Sequence, residues 1–283
     1  MIADSKEIMT ISTIFISLLG VLFSAYAEND MRQEFNYDDY AATLKTYMNN
    51  QGMVNYKQLK VNREKLDSFV LSVGRLNTES YEKWSEKKKI AFWLNIYNAL
   101  TLKAIIDNYP IKSSFFKARL YPKNSIRQIS GVWDKLKFTV MGRNMTLDDI
   151  EHKTLRKNFN EPRIHAALVC AAMGCPPLRN EPYTGDKLDA QLNDQARRFW
   201  KNTRKFKIDR NKKIVYLSSI FKWFGEDFVK TYGTDETFDG HSKPERAVLN
   251  FISKYLDDRN REYLTTGKYK IKYLDYDWSL NEQ

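Results

Sequence analysis

Two cysteines and three histidines among 283 residues leave this chain poor in the soft ligands that metal centres draw on. A structural zinc site takes four ligands, and no CxxC or HExxH spacing occurs to supply them, so no metal is expected. Long apolar runs are also scarce. Past Ala27 no stretch approaches the roughly 20 apolar residues that cross a bilayer. There is no internal repeat and no low-complexity tract, which sets aside solenoids and disordered arrays. No nucleic-acid motif accompanies the basic residues, and nothing signals a cofactor.

What the chain does contain is enough apolar material for a core, 42% hydrophobic and 14% aromatic. Lys and Arg number 46 against 35 Asp and Glu, a net charge of +11 that favours an anionic ligand or surface over a cationic one.

Met9–Ala27, MTISTIFISLLGVLFSAYA, carries no charge and ends in the small-x-small pattern Ala25-Tyr26-Ala27 before Glu28. That is the pattern of a signal peptide, so residues 1–27 are expected to direct export to the periplasm or beyond the cell. The residues before it are a weak n-region, since Asp4 and Glu7 offset Lys6. An uncleaved signal anchor is therefore the one membrane attachment the sequence offers. Cleavage would leave 45 basic and 33 acidic side chains, a net charge of +12.

The spacing predicts an α+β protein with helices packed around a small, mainly antiparallel sheet. Residues 35–83 read as a helical N-terminal lobe, with Tyr37, Tyr40, Leu44 and Tyr47 on one face and a second helix over about Asn62–Leu76. Residues 84–283 form the main domain, in one globular unit with the lobe. Its central element is the very apolar helix Lys88–Asn108, stopped by Tyr109-Pro110. Asn95 and Asn98 share a face of this helix, either to tie it to neighbouring backbone or to bind a ligand.

Hairpins are expected at Lys137–Thr146 and Lys205–Ser218, and a last strand around Tyr269–Tyr273 with Trp278 as its anchor. Capping boxes at Thr146/Asp149 and Ser242/Glu245 start helices. Between Ile111 and Asp134 the periodicity fails. Lys112, Lys117, Arg119, Lys123 and Arg127 alternate with Phe115, Phe116 and Tyr121, as in a surface that binds anions and stacks rings. A solvated loop with its aromatics turned inward has the same composition.

Five blocks, AFWLNIYNAL, FTVMGRNMTLDDIEHKTLR, RIHAALVCAAMGCPPLR, YLSSIFKWFGEDF and YLDYDWSLN, run in order through the chain. In this sequence and order they resemble domain of unknown function family 547, over roughly residues 38–280. The resemblance implies membership and brings no established activity.

Chemistry therefore has to come from the residues, and Arg163–Arg179 concentrates it. The block alternates as a strand buried on both faces, with His165 and Cys170 on opposite sides. Ala171, Ala172 and Gly174 then allow a tight turn that carries Cys175 back toward His165. Three readings of the cysteines stay open: a short disulfide, a thiol nucleophile, and buried inert thiols. In the catalytic reading Cys175 or Cys170 is the nucleophile, His165 the base, and Glu151 or an Asn the group that orients it. The function expected is thiol-dependent hydrolysis or acyl transfer. The alternative is a non-catalytic binding module with a structural disulfide and a basic, aromatic surface for an anionic partner. Arg163, Arg179 and Trp223 are further binding candidates, Trp223 competing with a core role and sharing a possible rim with Glu226 and Asp227.

Overall fold

A buried helix needs its ends capped and its sides covered, and Glu86–Asp107 has both. Ser85 accepts the Lys88 amide at its start, and every residue from Ile90 to Leu102 is buried. The computed structural model describes residues 35–283; the expected signal segment 1–27 lies outside the described residues. Helices Asp38–Tyr47, Tyr56–Val61 and Glu64–Arg75 cover the buried helix, and residues from all of them join one hydrophobic cluster with it. Tyr40 stacks on Phe69 at 4.9 Å, and Phe35 meets Phe92 edge-on at 5.2 Å, contacts that add to the area buried.

A second cluster gathers Phe199, Trp200, Phe221, Phe228 and Phe251. Around it lie helices Leu188–Lys201 and Lys243–Ser253 and a three-stranded sheet. In that sheet β3 (Phe206–Asp209) pairs antiparallel with β4 (Ile214–Ser218), and β5 (Lys270–Leu274) pairs parallel with β4. A separate hairpin joins β1 (Phe138–Val140) to β2 (Arg143–Met145). Its two-residue turn, Met141-Gly142, has positive φ at both positions, the geometry that matches strand twist and favours glycine. The protein is α+β. Among the described residues no helix is long and apolar enough to cross a membrane.

Both expected hairpins form, and both capping boxes close: Thr146 and Asp149 exchange side-chain and backbone bonds at 2.9 and 3.1 Å, and Ser242 and Glu245 do the same. Three expectations need correction. The hairpins belong to two sheets rather than one, and β5 joins its sheet in parallel. Arg163–Arg179 is not a strand. Pro162–Ala166 is a 3-10 turn, and beyond it the stretch joins no sheet: its one β-bridge among the described residues is Ala172 with Leu280. Its polar groups are met by side chains instead: Asn98 donates to the Ala167 carbonyl at 3.0 Å and accepts the Val169 amide at 2.9 Å.

Asn95 does the same for Tyr183, taking its amide and its carbonyl at 2.8 Å each. Both asparagines spend their amides on backbone, which corrects their candidacy as ligand-binding groups. Arg163 and Arg179 are likewise committed, Arg163 to Glu161 and Asp189, Arg179 to Glu181 and Asp194.

Candidate functional site

A concavity of about 460 Å³ sits where the two clusters meet. Cys170, Cys175, His165, Glu151 and Trp223 all line it, with Tyr97, Arg127, Trp133, Phe224, Tyr276 and Trp278. Five candidates scattered over 73 positions of sequence thus share one cavity, which is the concave, mostly apolar form that small-molecule sites take.

Cys170 and Cys175 are joined as a disulfide, with Cα atoms 6.2 Å apart. The loop between them is held by the tail of the chain. Met173 N donates to Ser279 O and Gly174 N to Asp277 O, both at 2.7 Å. From the other side Lys205 donates its ammonium to the Met173 carbonyl. Tyr276 stands over Gly174, and its hydroxyl reaches both sulfurs, at 3.0 Å from Cys175 Sγ and 3.2 Å from Cys170 Sγ. The Cys170 amide also donates to Cys175 Sγ, at 2.9 Å. Two donors, the Cys170 amide and the Tyr276 hydroxyl, thus converge on Cys175 Sγ.

His165 is buried against Phe224, ring on ring at 4.3 Å, and its Nε2 lies 2.7 Å from Asp227 Oδ2. Arg156 grips the same carboxylate with two bonds, at 2.6 and 2.9 Å. Burial alone would raise the Asp227 carboxyl. The bonds from His165 and Arg156 more than offset it and hold the group below the ordinary carboxylate range. A carboxylate at Nε2 fixes the proton there and leaves Nδ1 as the basic nitrogen.

This arrangement corrects the expected pairing. No hydrogen bond joins either sulfur to a histidine among the described residues, and the group that orients His165 is Asp227 rather than Glu151 or an asparagine.

Glu151 lies on a π-helical turn, Asp149–Leu155, whose wider winding turns its carboxylate into the cavity wall. Burial first, then Glu151, keeps the Tyr97 phenol protonated far above its ordinary range. Burial and Glu151 act on Tyr276 in the same sense, so its hydroxyl remains a donor at any ordinary pH. Trp223 belongs to the rim: 46% exposed, it packs on Tyr276 and Trp278 at 4.9 and 6.2 Å.

Arg127 is the cation of the cavity. Its guanidinium carbon lies 4.2 Å from the Trp278 ring centre, 4.8 Å from Tyr121 and 5.4 Å from Trp133. Its Nε is buried without a hydrogen-bond partner, and no carboxylate pairs with it among the described residues. Cation–π contacts hold the guanidinium in place and leave its donors unspent.

Residues 81–200 match the model of a family described as protein of unknown function, DUF547. Over that stretch the chain is similar to DUF547. Comparisons with curated proteins and with solved structures found no match. The matched residues include the buried helix, Glu151, His165 and both cysteines. Asp227, Trp223, Tyr276 and Trp278 come from beyond them.

Asp227 was legible as a rim candidate but not as the partner of His165, 62 positions away. Arg127 was legible as one of five cations in a basic, aromatic stretch but not as a residue of this cavity, and Tyr276 carried no signal beyond its place in the block YLDYDWSLN, two positions before Trp278.

Proposed function

We propose that the cavity is the active site of a thiol-dependent hydrolase or acyl transferase, masked while Cys170 and Cys175 are joined. The observation that carries this reading is that the disulfide lines the same cavity as His165, whose ring Asp227 holds from outside that cavity. A disulfide that served only as a staple has no need of a cavity, a base or a hydroxyl bridging its sulfurs.

A dithiol reductant would convert the disulfide to two thiols and itself become oxidised. His165 Nδ1, which makes no hydrogen bond to either sulfur in the joined form, would take the Cys175 proton through one water, and the thiolate would attack an acyl carbon and expel an alcohol or amine that collects the proton from His165 by the same route. Water, activated by the same histidine, would cleave the resulting thioester and release the acid. Asp227 keeps the imidazole in the tautomer this cycle needs, and Arg156 keeps Asp227 ionised. Export through residues 1–27 belongs to the same proposal and makes the masked form the resting one.

The test uses p-nitrophenyl acetate on protein reduced with dithiothreitol and then freed of it. A burst of p-nitrophenolate is expected from the wild type and from Cys170→Ser, and none from Cys175→Ser or the oxidised protein. A burst of equal size from both cysteine variants would falsify the assignment.

A second reading has its own observation. Arg127, paired with no carboxylate among the described residues and framed by three aromatic faces, suits a binding module that holds an anionic ligand above a purely structural disulfide. Inorganic phosphate or acetate that quenches the cavity tryptophans, and less so at high salt, supports it; absence of a burst together with such binding would select it.

A further inference from the structure

From Asn108 to Trp133 the chain has five basic residues and no acidic one. Within this stretch Phe115, Phe116 and Leu120 are 73%, 80% and 76% exposed, against the inward turn that aromatics in a solvated loop would take. Their exposure is built in. Buried Gln128 accepts the Ser114 amide and donates to the carbonyls of Tyr121 and Pro122, which closes the base of the protrusion. The amides of Ala118 and Tyr121 return to Ser114 O and Lys117 O at 2.9 Å, so the polar backbone is satisfied internally and the apolar side chains are left outside.

Phe115 and Phe116 meet edge-on at 5.7 Å, with the Arg119 guanidinium 5.5 Å from the Phe115 ring centre. Lys112, Arg119 and Lys123 are exposed and make no ion pair among the described residues.

We infer that this protrusion docks on an anionic lipid bilayer, with Phe115, Phe116 and Leu120 in the headgroup boundary and Lys112, Arg119 and Lys123 on lipid phosphates. The inference goes beyond both readings of the cavity. Three apolar tips collared by cations, with no acid among them, reproduce the order of a lipid surface, apolar interior below and phosphate above. A polar partner protein would leave the tips uncovered, and nucleic acid offers no apolar layer to receive them. At an anionic surface each cation multiplies affinity about fivefold, so the three together contribute on the order of a hundredfold. Tyr121 and Arg127 of the same stretch reach the aromatic lip of the cavity, and a docked chain therefore holds its cavity at the membrane surface.

The experiment is amide hydrogen exchange on the full chain with vesicles of phosphatidylcholine alone and of equal parts phosphatidylcholine and phosphatidylglycerol. The readout is local, so attachment through any other segment does not imitate it. Amides of residues 113–121 are expected to slow by at least about tenfold on the mixed vesicles and not on the neutral ones. Replacing Phe115, Phe116 and Leu120 together by serine should abolish the slowing. Replacing Lys112, Arg119 and Lys123 by glutamine should confine it to low salt. Unchanged exchange on mixed vesicles, or slowing that survives the serine replacements, overturns the inference. So does slowing that follows protein concentration and ignores lipid, which would mark a contact between copies of the chain.

Discussion

His165 and Asp227 stand 62 positions apart in sequence and 2.7 Å apart in space, joined where a 3-10 turn from one cluster meets a turn at the edge of the other. The bond settles the tautomer of the histidine, and Arg156 settles the charge of the aspartate.

Asp227→Asn keeps the shape and removes that charge. In reduced protein the rate of Cys175 alkylation by iodoacetamide at neutral pH should fall at least about tenfold, while the rate in denaturant stays the same. Arg156 is left without its carboxylate, so urea unfolding should show a loss of about 1–3 kcal/mol. Equal alkylation rates in the folded proteins would remove His165 from the chemistry.

Tyr276→Phe deletes the hydroxyl that reaches both sulfurs and spares the packing on Trp223 and Trp278. The Cys175 thiolate loses one of two donors, and the midpoint of its alkylation-versus-pH curve should move upward. A midpoint that stays put would mean that Tyr276 serves packing alone.

Gly174→Ala would set a methyl group 2.6–2.7 Å from three atoms of the Tyr276 ring. The ring is wedged between two tryptophans and cannot yield freely, so a loss of about 1–3 kcal/mol is expected in urea unfolding. Gly142→Ala tests a different cost, positive φ with open space around it, and should leave the cavity unaffected.

How much of this could be read from the chain follows from the range of each interaction. The caps at Thr146 and Ser242 close over three residues and were legible for that reason. The strand expected at Arg163–Arg179 failed because alternating apolar residues look the same whether backbone partners come from a neighbouring strand or, as here, from the side chain of Asn98. Cys170, Cys175, His165 and Glu151 were found because their chemistry is rare in this sequence. Asp227 was read only as a rim residue and Arg127 only as one of five cations, and Tyr276 is of a common type; the fold is what brings the three to one site. The π-helical turn that buries Glu151 depends on one extra residue per turn, which no periodicity in seven residues can reveal.

Lys205 offers a pH-dependent test. Burial pushes its ammonium down to about 8 from 10.5, with Asp277 opposing the shift. Between these values the unfolded chain binds more protons than the folded one, so stability should rise as pH climbs from about 8. Above pH 10 the buried phenols of Tyr40, Tyr56 and Tyr97, held protonated by burial, reverse the trend. Urea midpoints from pH 7.5 to about 9.5 should therefore increase for the wild type and stay flatter for Lys205→Met. Parallel curves for the two proteins would assign the rise to other groups.

The strap Asp277–Asn281, which holds the loop between the cysteines, bears on how the protein is made. Every other residue lining the cavity is synthesised before Trp278. Until the strap arrives, the amides of Met173 and Gly174 and the bridge at Ala172 lack their partners, and Tyr276 has Trp223 but not Trp278 against its ring. A chain without the strap therefore holds the loop between the cysteines by fewer bonds, and the wall that Tyr276 and Trp278 give the cavity is the last part of its lining to be made.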